Sequence, residues 1–198
     1  NTSMPLLRER LNLPNDVPLA VYIGGISGPV RGVDKIMKAL TYLPDYHFVN
    51  LGPRKPKIDK WLKDIVTSLG VENRVHFLEP VPAEYVSHVV SDASFNISAI
   101  QNICLSYLYS MPNKLFEALF AGLPVCVPDS PDQRKLIEKL GCGIVVDQTD
   151  SASIARAMKE IVEKSEDYQL TANSKDYLNQ HYSWNVQKDK LIALYEGL

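Results

Sequence analysis

The chain has 198 residues, of which 45% are hydrophobic and 22% are charged. This length and composition fit one globular domain with a sizeable core. Its 21 basic and 23 acidic residues give a formal net charge of −2, which argues against a nucleic-acid-binding surface.

The start of the sequence and its cysteines give further expectations. No signal peptide opens the sequence, and no apolar run approaches the roughly 18 residues that span a bilayer, so we expect a cytoplasmic protein. The first residue is Asn1 rather than methionine, which suggests a domain excised from a longer protein. Cys104, Cys126 and Cys142 lie in or beside apolar runs without metal-ligand spacing. We expect them to be reduced core thiols, and we expect no metal site.

Strand and helix patterns alternate along the chain. Short apolar runs bounded by turn residues predict buried strands at 19–23, 47–51, 74–78, 93–97, 124–127 and 143–146. Helical periodicity and capping residues predict helices at 3–11 (capped by Ser3), 33–43, 57–69, 82–90, 112–121, 131–140, 151–164 and 166–180.

This alternation predicts an α/β fold with a doubly wound, mainly parallel, six-stranded Rossmann-like sheet, in one domain over residues 1–198. Ligands of such sheets bind beyond the carboxyl ends of the strands, where the strand order reverses. The candidate rim consists of the loops at 24–32, 52–56, 80–82, 98–112 and 128–131.

Two apolar features of the sequence predict burial. The loop at 98–110 holds six large apolar or aromatic residues, so we expect it to lie beneath another part of the protein. Trp184 begins the segment 184–198, in which apolar residues are interspersed with polar ones. We expect its ring to lie in the core.

The first rim loop reads GGISGPVRG over residues 24–32. It is glycine-rich, but it has neither the G-x-G-x-x-G spacing of dinucleotide sites nor a Walker lysine. It offers open backbone and the guanidinium of Arg31. That side chain either contacts a diphosphate with its fork of donors or is a solvated arginine in a flexible turn, and the sequence favours the two interpretations equally.

The segment SMPNKLFEALFAGLPVCV at residues 110–127 is the most informative stretch. Lys114 and Glu117 share one face of a predicted helix beside its N-terminus, where free N–H groups favour an anion such as phosphate. In one interpretation the two form a helix ion pair worth about 0.2–0.5 kcal/mol. In the other, Lys114 faces phosphate and Glu117 accepts hydrogen bonds from a ribose diol. No general base stands out on the rim, so the chain has the features of half an active site.

Five segments, in this order, resemble the C-terminal, nucleotide-sugar-binding domain of glycosyltransferase family 4, the group 1 transferases of the GT-B fold. They are YIGG…RG at 22–32, LGVENRVHFLEPVP at 69–82, SDASFNIS at 91–98, PNKLFEALFAGLPV at 112–125 and YSWN…LYE at 182–196. The resemblance implies half of a GT-B fold, whose N-terminal domain is absent here. That domain would bind the glycan or lipid-linked acceptor and could attach the enzyme to the inner face of the membrane.

The resemblance also implies residue roles. Glu117 matches the second glutamate of the family's E-x7-E motif, which binds the donor ribose. Arg31 matches the lysine of the K-G pair that contacts the diphosphate, and the backbone near Pro80 and Val81 would meet the base. The last helix, around Trp184, would return toward the other domain.

Two positions depart from the family pattern. The first glutamate of E-x7-E falls at Tyr109, and the arginine that often follows the first glycine of the loop falls at Gly25. We therefore assign no catalytic residue, and we expect Lys114 to replace the missing arginine at the phosphate. The predicted donor-binding residues are Gly24, Gly25, Arg31, Pro80, Val81, Ser110, Met111, Asn113, Lys114 and Glu117.

The resulting prediction is a metal-independent, cofactor-independent, retaining glycosyltransferase whose substrate is a nucleoside diphosphate sugar. The isolated fragment is expected to be inactive. Two alternatives stay open: a nucleotide-sugar-binding module that has lost transfer, and a nucleotide-sugar 2-epimerase of similar architecture.

Overall fold

A computed structural model describes residues 4–197, which form one parallel sheet flanked by α-helices. The strands are β1 (Leu19–Ile23), β2 (His47–Leu51), β3 (Val75–Leu78), β4 (Phe95–Ile97), β5 (Val125–Pro128) and β6 (Gly143–Val146). The helices are α1 (Leu7–Leu11), α2 (Val33–Ala39), α3 (Pro56–Leu69), α4 (Val86–Val90), α5 (Leu105–Leu108), α6 (Asn113–Phe120), α7 (Pro131–Leu140), α8 (Ser151–Glu163), α9 (Ala172–Tyr182) and α10 (Trp184–Glu196).

The six strands are ordered β3-β2-β1-β4-β5-β6, and every neighbouring pair in this described sheet is parallel. The predicted doubly wound, Rossmann-like fold is therefore confirmed. The chain builds outward from β1 in one direction, then returns to place β4 on the other side of it. The strand order thus reverses between β1 and β4, and the loops that follow these two strands border the crevice where such folds bind ligands.

The core lies on both faces of the sheet. Side chains of α2, α3 and α8 pack on one face, and those of α1, α4, α6, α7 and α9 pack on the other. All five residues of β1 are buried, because the strand lies in the middle of the sheet with helices on both sides. This explains why its sequence, LAVYI, is a continuous apolar run rather than an alternating one.

Predicted and observed bounds agree most closely for the strands. β1, β2 and β6 have the predicted bounds, and β3, β4 and β5 differ by one or two residues at an end. The first helix begins at Leu7 after Leu6, and the predicted cap Ser3 lies outside the described residues. The predicted helix 82–90 is a 3₁₀ turn followed by the short α4.

The predictions of burial for Trp184 and Cys104 were wrong. Trp184 is 69% exposed, because α10 packs on α9 and so lies outside the layers that cover the sheet. Cys104, predicted to be a core thiol, is exposed, whereas Cys126 and Cys142 are buried.

The loop predicted to be covered is covered only in part, since Ile100 is buried but Ile103 and Leu105 are both 71% exposed. Among residues 4–197, no helix combines the length and apolar character needed to cross a membrane.

A pair of histidines lies at the opposite end of the sheet from the crevice, on β2 and β3. Nδ1 of His47 and Nε2 of His76 are 3.0 Å apart, and the two rings are nearly parallel. Burial lowers the pKa of His47, and the nearby Arg74 lowers it further. Burial also lowers the pKa of His76, and His47 adds to that shift. The folded protein therefore favours the neutral form of both rings.

We expect the free energy of unfolding to fall as the pH drops below about 6.5, the ordinary pKa of histidine. In that range the unfolded chain takes up protons that the folded pair does not, so acid favours unfolding. Urea unfolding at several pH values would measure the slope. The His76→Gln variant should show a shallower slope. The same change at the exposed His181 serves as the control and should leave the slope unaltered.

Candidate functional site

The loop that follows β1 closes tightly against the end of β2. The backbone N–H of Gly24 donates to the carbonyl of Leu51 at 2.7 Å. Gly24 has a φ of 98°, a conformation that favours glycine. A Cβ built on Gly52 would lie 2.3 Å from the Gly24 carbonyl oxygen, so the two backbones can approach only because residue 52 has no side chain. The loop is thereby held at the carboxyl edge of the sheet.

Asn50 holds the same loop from beneath. Its side chain is fully buried, and its Nδ2 donates to the carbonyl oxygens of Gly24 at 2.9 Å and Tyr22 at 3.3 Å. Arg54 donates in turn to the Asn50 Oδ1 at 3.1 Å and to the carbonyl of Leu78 at 3.1 Å. This network joins the ends of β1, β2 and β3. This network was not predicted from the sequence, although the asparagine inside the otherwise apolar strand HFVNL indicates a buried polar contact.

Lys114 reaches this loop from the first turn of α6. Its Nζ donates to the hydroxyl of Tyr22 at 2.5 Å and lies 3.8 Å from the centroid of the Tyr22 ring. A Cβ built on Gly24 would lie 3.7 Å from the same Nζ, so the ammonium also lies beside the Gly24 backbone. The structure therefore brings Lys114 and the first rim loop together.

Burial and two neighbouring charges shift the pKa of Lys114. Burial lowers the pKa of Lys114 to about 7, the Arg31 guanidinium contributes to this shift, and the Glu117 carboxylate opposes it. Burial raises the pKa of Glu117, and Lys114 opposes that shift. Two cations and one carboxylate thus share a poorly solvated region, where an added anion would relieve the repulsion between Lys114 and Arg31.

The ion pair between Lys114 and Glu117, one of the two interpretations of the sequence, is not formed among the described residues. The ammonium turns toward Tyr22, and the Glu117 side chain, which is half-buried, has no hydrogen-bond donor within the described part of the chain. The Glu117 backbone carbonyl accepts a hydrogen bond from the Ser87 hydroxyl at 3.0 Å, which ties this turn of α6 to α4. The carboxylate is therefore free to accept hydrogen bonds from a ligand.

Arg31 lies near the C-terminal end of the first rim loop, whereas Lys114 contacts its beginning at Gly24. Its Nε donates to the Ser27 hydroxyl at 3.2 Å, and its guanidinium lies 5.7 Å from the centroid of the Tyr107 ring. The next residue, Gly32, has a φ of 68°, and a Cβ built on it would lie 1.9 Å from the carbonyl oxygen of Ala99. This close approach brings the start of α2 against the segment that follows β4.

The N-terminal end of α6 faces the same region. No side chain caps this helix, whose first residue, Asn113, is exposed. Just before it, the Ser110 carbonyl accepts a hydrogen bond from Gln133 at 2.9 Å, and Met111 packs on the core. Tyr109, at the position of the family's first glutamate, is 57% exposed. The backbone N–H groups at this helix start are available to an anion.

The other predicted residues lie further from Lys114. Pro80 and Val81 follow β3, two strands away from β1 at the same edge of the sheet. Pro80 is exposed, and Val81 packs on the core. A Cβ built on Gly25 would lie 3.3 Å from the Pro53 carbonyl oxygen, so this position leaves little space for the arginine of the family pattern. Within residues 4–197, no three His, Cys, Asp or Glu side chains are grouped so that they could hold a metal ion.

Comparison with known proteins places most of the chain in one family. The model of one family, described as "Glycosyl transferases group 1", matches residues 3–176. The chain belongs to the group 1 glycosyl transferases. No curated protein sequence matches it at a significant level.

Solved structures show the fold of this group 1 chain in other proteins. The sucrose-phosphate synthase of Thermosynechococcus elongatus aligns over 98% of this chain and 49% of its own, at 19% identity and a TM-score of 0.78. Anabaena HepE, solved with UDP-glucose, aligns over 97% of this chain and 52% of its own, at 18% identity and a TM-score of 0.79. The chain therefore spans about half the length of these two proteins.

A third structure matches this chain in length as well. It is the C-terminal domain of LpcC, a group 1 family protein from Francisella tularensis. It aligns over 92% of this chain and 96% of its own, at 18% identity and a TM-score of 0.64.

Proposed function

We propose that this chain is the C-terminal, donor-binding domain of a glycosyltransferase of family 4, and that it binds a nucleoside diphosphate sugar. A second Rossmann-like domain would complete the GT-B enzyme and bind a glycan or lipid-linked acceptor. Two comparisons support the proposal: HepE was solved with UDP-glucose, and the LpcC domain of equal extent is a C-terminal one.

The observation that carries the proposal is the position of Lys114. Its ammonium lies beside Gly24 at the end of β1, next to the reversal in strand order, and it belongs to the first turn of an uncapped helix. Arg31 adds a second cation nearby. A half-buried ammonium, a guanidinium and free helix N–H groups around one crevice form a site for a diphosphate.

Each residue then has a physical role in transfer. Lys114 and Arg31 neutralise the diphosphate, and they stabilise its added charge as it departs from the sugar. Glu117 accepts hydrogen bonds from the ribose diol and so fixes the nucleoside. Pro80 and Val81 border the base, while Ser110 and Met111 approach the sugar. The domain contributes position and electrostatic stabilisation, and the resemblance implies a metal-independent, retaining reaction.

Calorimetric titration with UDP and GDP tests the proposal. We expect binding of at least one of the two to the 198-residue chain. Absence of binding to both, with the fold intact by circular dichroism, would contradict the donor-binding function. Transfer itself requires the second domain, so a bound nucleotide without turnover is the expected behaviour of this chain.

The role of Glu117 makes a separate prediction. The wild-type chain should bind UDP about 10- to 100-fold more tightly than 2′,3′-dideoxy-UDP, because hydrogen bonds to a charged group contribute about 1.5–3 kcal/mol. The Glu117→Ala variant should bind the two nucleotides equally well. Competitive calorimetry would measure both affinities.

Glu138→Ala is the matched control, since it removes one exposed carboxylate from another helix. This variant should keep the preference for the ribose. If Glu117→Ala keeps the preference as well, the ribose is held elsewhere.

A further inference from the structure

We infer that Tyr22 is a positioning residue for the donor diphosphate, which holds the Lys114 ammonium over the Gly24 backbone. This inference rests on the proposed function of the site. Tyr22 lies in the middle strand of the sheet and is fully buried, so its hydroxyl has a fixed position. A fixed acceptor beneath a flexible lysine sets where the ammonium lies.

The surroundings of Lys114 explain why such an acceptor is needed. An ammonium in a poorly solvated site is costly unless its N–H groups have partners. The Tyr22 hydroxyl supplies one partner at 2.5 Å, and it is the acceptor that the described residues give to Lys114. An ammonium has three N–H donors, so two are left to point toward a ligand. The tyrosine thus directs the lysine without using up its donors.

Tyr22 stays a neutral phenol in this role. Burial raises its pKa to about 12, and Arg31 opposes the shift. The groups that face the Lys114 ammonium are then the neutral hydroxyl on β1, the Arg31 guanidinium before α2 and the Glu117 carboxylate on α6. The repulsion from Arg31 favours loss of the Lys114 proton, whereas the hydroxyl and the carboxylate favour its retention. Without the hydroxyl, Lys114 would be charged over a narrower range of pH.

The test uses UDP-glucose, because both phosphates of this probe are esterified and keep a constant charge near neutral pH. Its dissociation constant is measured by calorimetry between about pH 6 and about pH 8.5, a range that brackets the titration of Lys114. Tyr22→Phe should weaken binding by about threefold to tenfold at pH 8. It should also move the pH at which binding weakens to a lower value, an effect that a loss of packing alone would not produce.

Two controls separate positioning from a general effect on the fold. Tyr46→Phe removes a hydroxyl from another buried tyrosine of the same core cluster, and it should leave binding and its pH profile unchanged. In a Lys114→Met background, Tyr22→Phe should cause no further loss, because the tyrosine acts through the lysine. Urea unfolding of each variant checks that the fold is kept.

The outcomes distinguish this inference from the proposed function. If the wild-type chain binds UDP-glucose and Tyr22→Phe has the same affinity and pH profile, Tyr22 has no positioning role while donor binding stands. An additive loss in the Lys114→Met background would also overturn the inference. If the wild-type chain does not bind UDP-glucose, both this inference and the proposed function fail.

Discussion

Replacing Lys114 with methionine is expected to weaken the binding of UDP by about 10- to 100-fold at neutral pH, since a hydrogen bond to a charged group contributes about 1.5–3 kcal/mol. Methionine keeps an unbranched chain of similar length, so the packing of α6 should change little. The effect is expected because the Lys114 ammonium lies over Gly24, where the diphosphate would bind. Calorimetric titration of both proteins with UDP measures the loss.

The chain offers a matched control for this substitution. Nζ of Lys139 on α7 lies 4.0 Å from the centroid of the Tyr177 ring on α9, so this lysine also contacts a tyrosine. Unlike Lys114, it is exposed. Lys139→Met removes the same charge and should leave UDP affinity within about twofold, because the effect of a distant, exposed charge is largely screened by solvent and salt. If Lys114→Met binds UDP like the wild type while Arg31→Ala abolishes binding, Lys114 does not replace the missing arginine.

Replacing Gly32 with alanine is expected to destabilise the protein by more than about 3 kcal/mol, in the range of the most damaging single substitutions. A left-handed backbone conformation costs a residue with a Cβ about 1–2 kcal/mol. At Gly32 the Cβ would also lie 1.9 Å from the Ala99 carbonyl oxygen, so the backbone at one of the two positions must move. Urea unfolding, with the midpoint and slope compared to the wild type, measures the change.

Gly70 provides the control for the Gly32 substitution. It has a φ of 64°, close to the 68° of Gly32, but a Cβ built on it meets no atom within 4 Å. Gly70→Ala should therefore cost only the roughly 1–2 kcal/mol of the backbone conformation. The difference between the two variants isolates the close packing of α2 against the segment after β4. If the two variants lose the same free energy of unfolding, the backbone near Ala99 moves to accept the new Cβ at no energetic cost, and the close packing does not contribute to stability.

The strands were predictable from the sequence for a specific reason. A strand such as β1 is covered on both faces, which favours a continuous run of largely apolar side chains, and the run LAVYI shows this without any long-range information. The glycines and prolines at the ends of these runs limit the strands locally. The alternation of strands and helices then leaves few possible topologies of the sheet. The observed strand order confirms the doubly wound one.

Exposure was less predictable, because it depends on what packs above a segment. Trp184 and the apolar residues of α5 read as core residues by composition alone. In the fold, α10 packs on α9 and α5 lies in the segment after β4, so Trp184 and Leu105 are largely exposed while Tyr107 and Leu108 are half-buried. Whether another helix packs over a given residue depends on the whole fold, and the sequence around that residue does not show it.

The parallel sheet, the glycine-rich first loop and the placement of Lys114 and Glu117 on one helix near its start were predictable from the sequence alone. Local periodicity and residue chemistry suffice for these features. The contacts of Lys114, in contrast, depend on the tertiary fold. Tyr22 is 92 residues away along the chain, and it is the parallel sheet that brings its hydroxyl to the lysine. An ion pair with Glu117 was the local alternative, and in the fold the Lys114 ammonium instead donates to the Tyr22 hydroxyl at the end of β1.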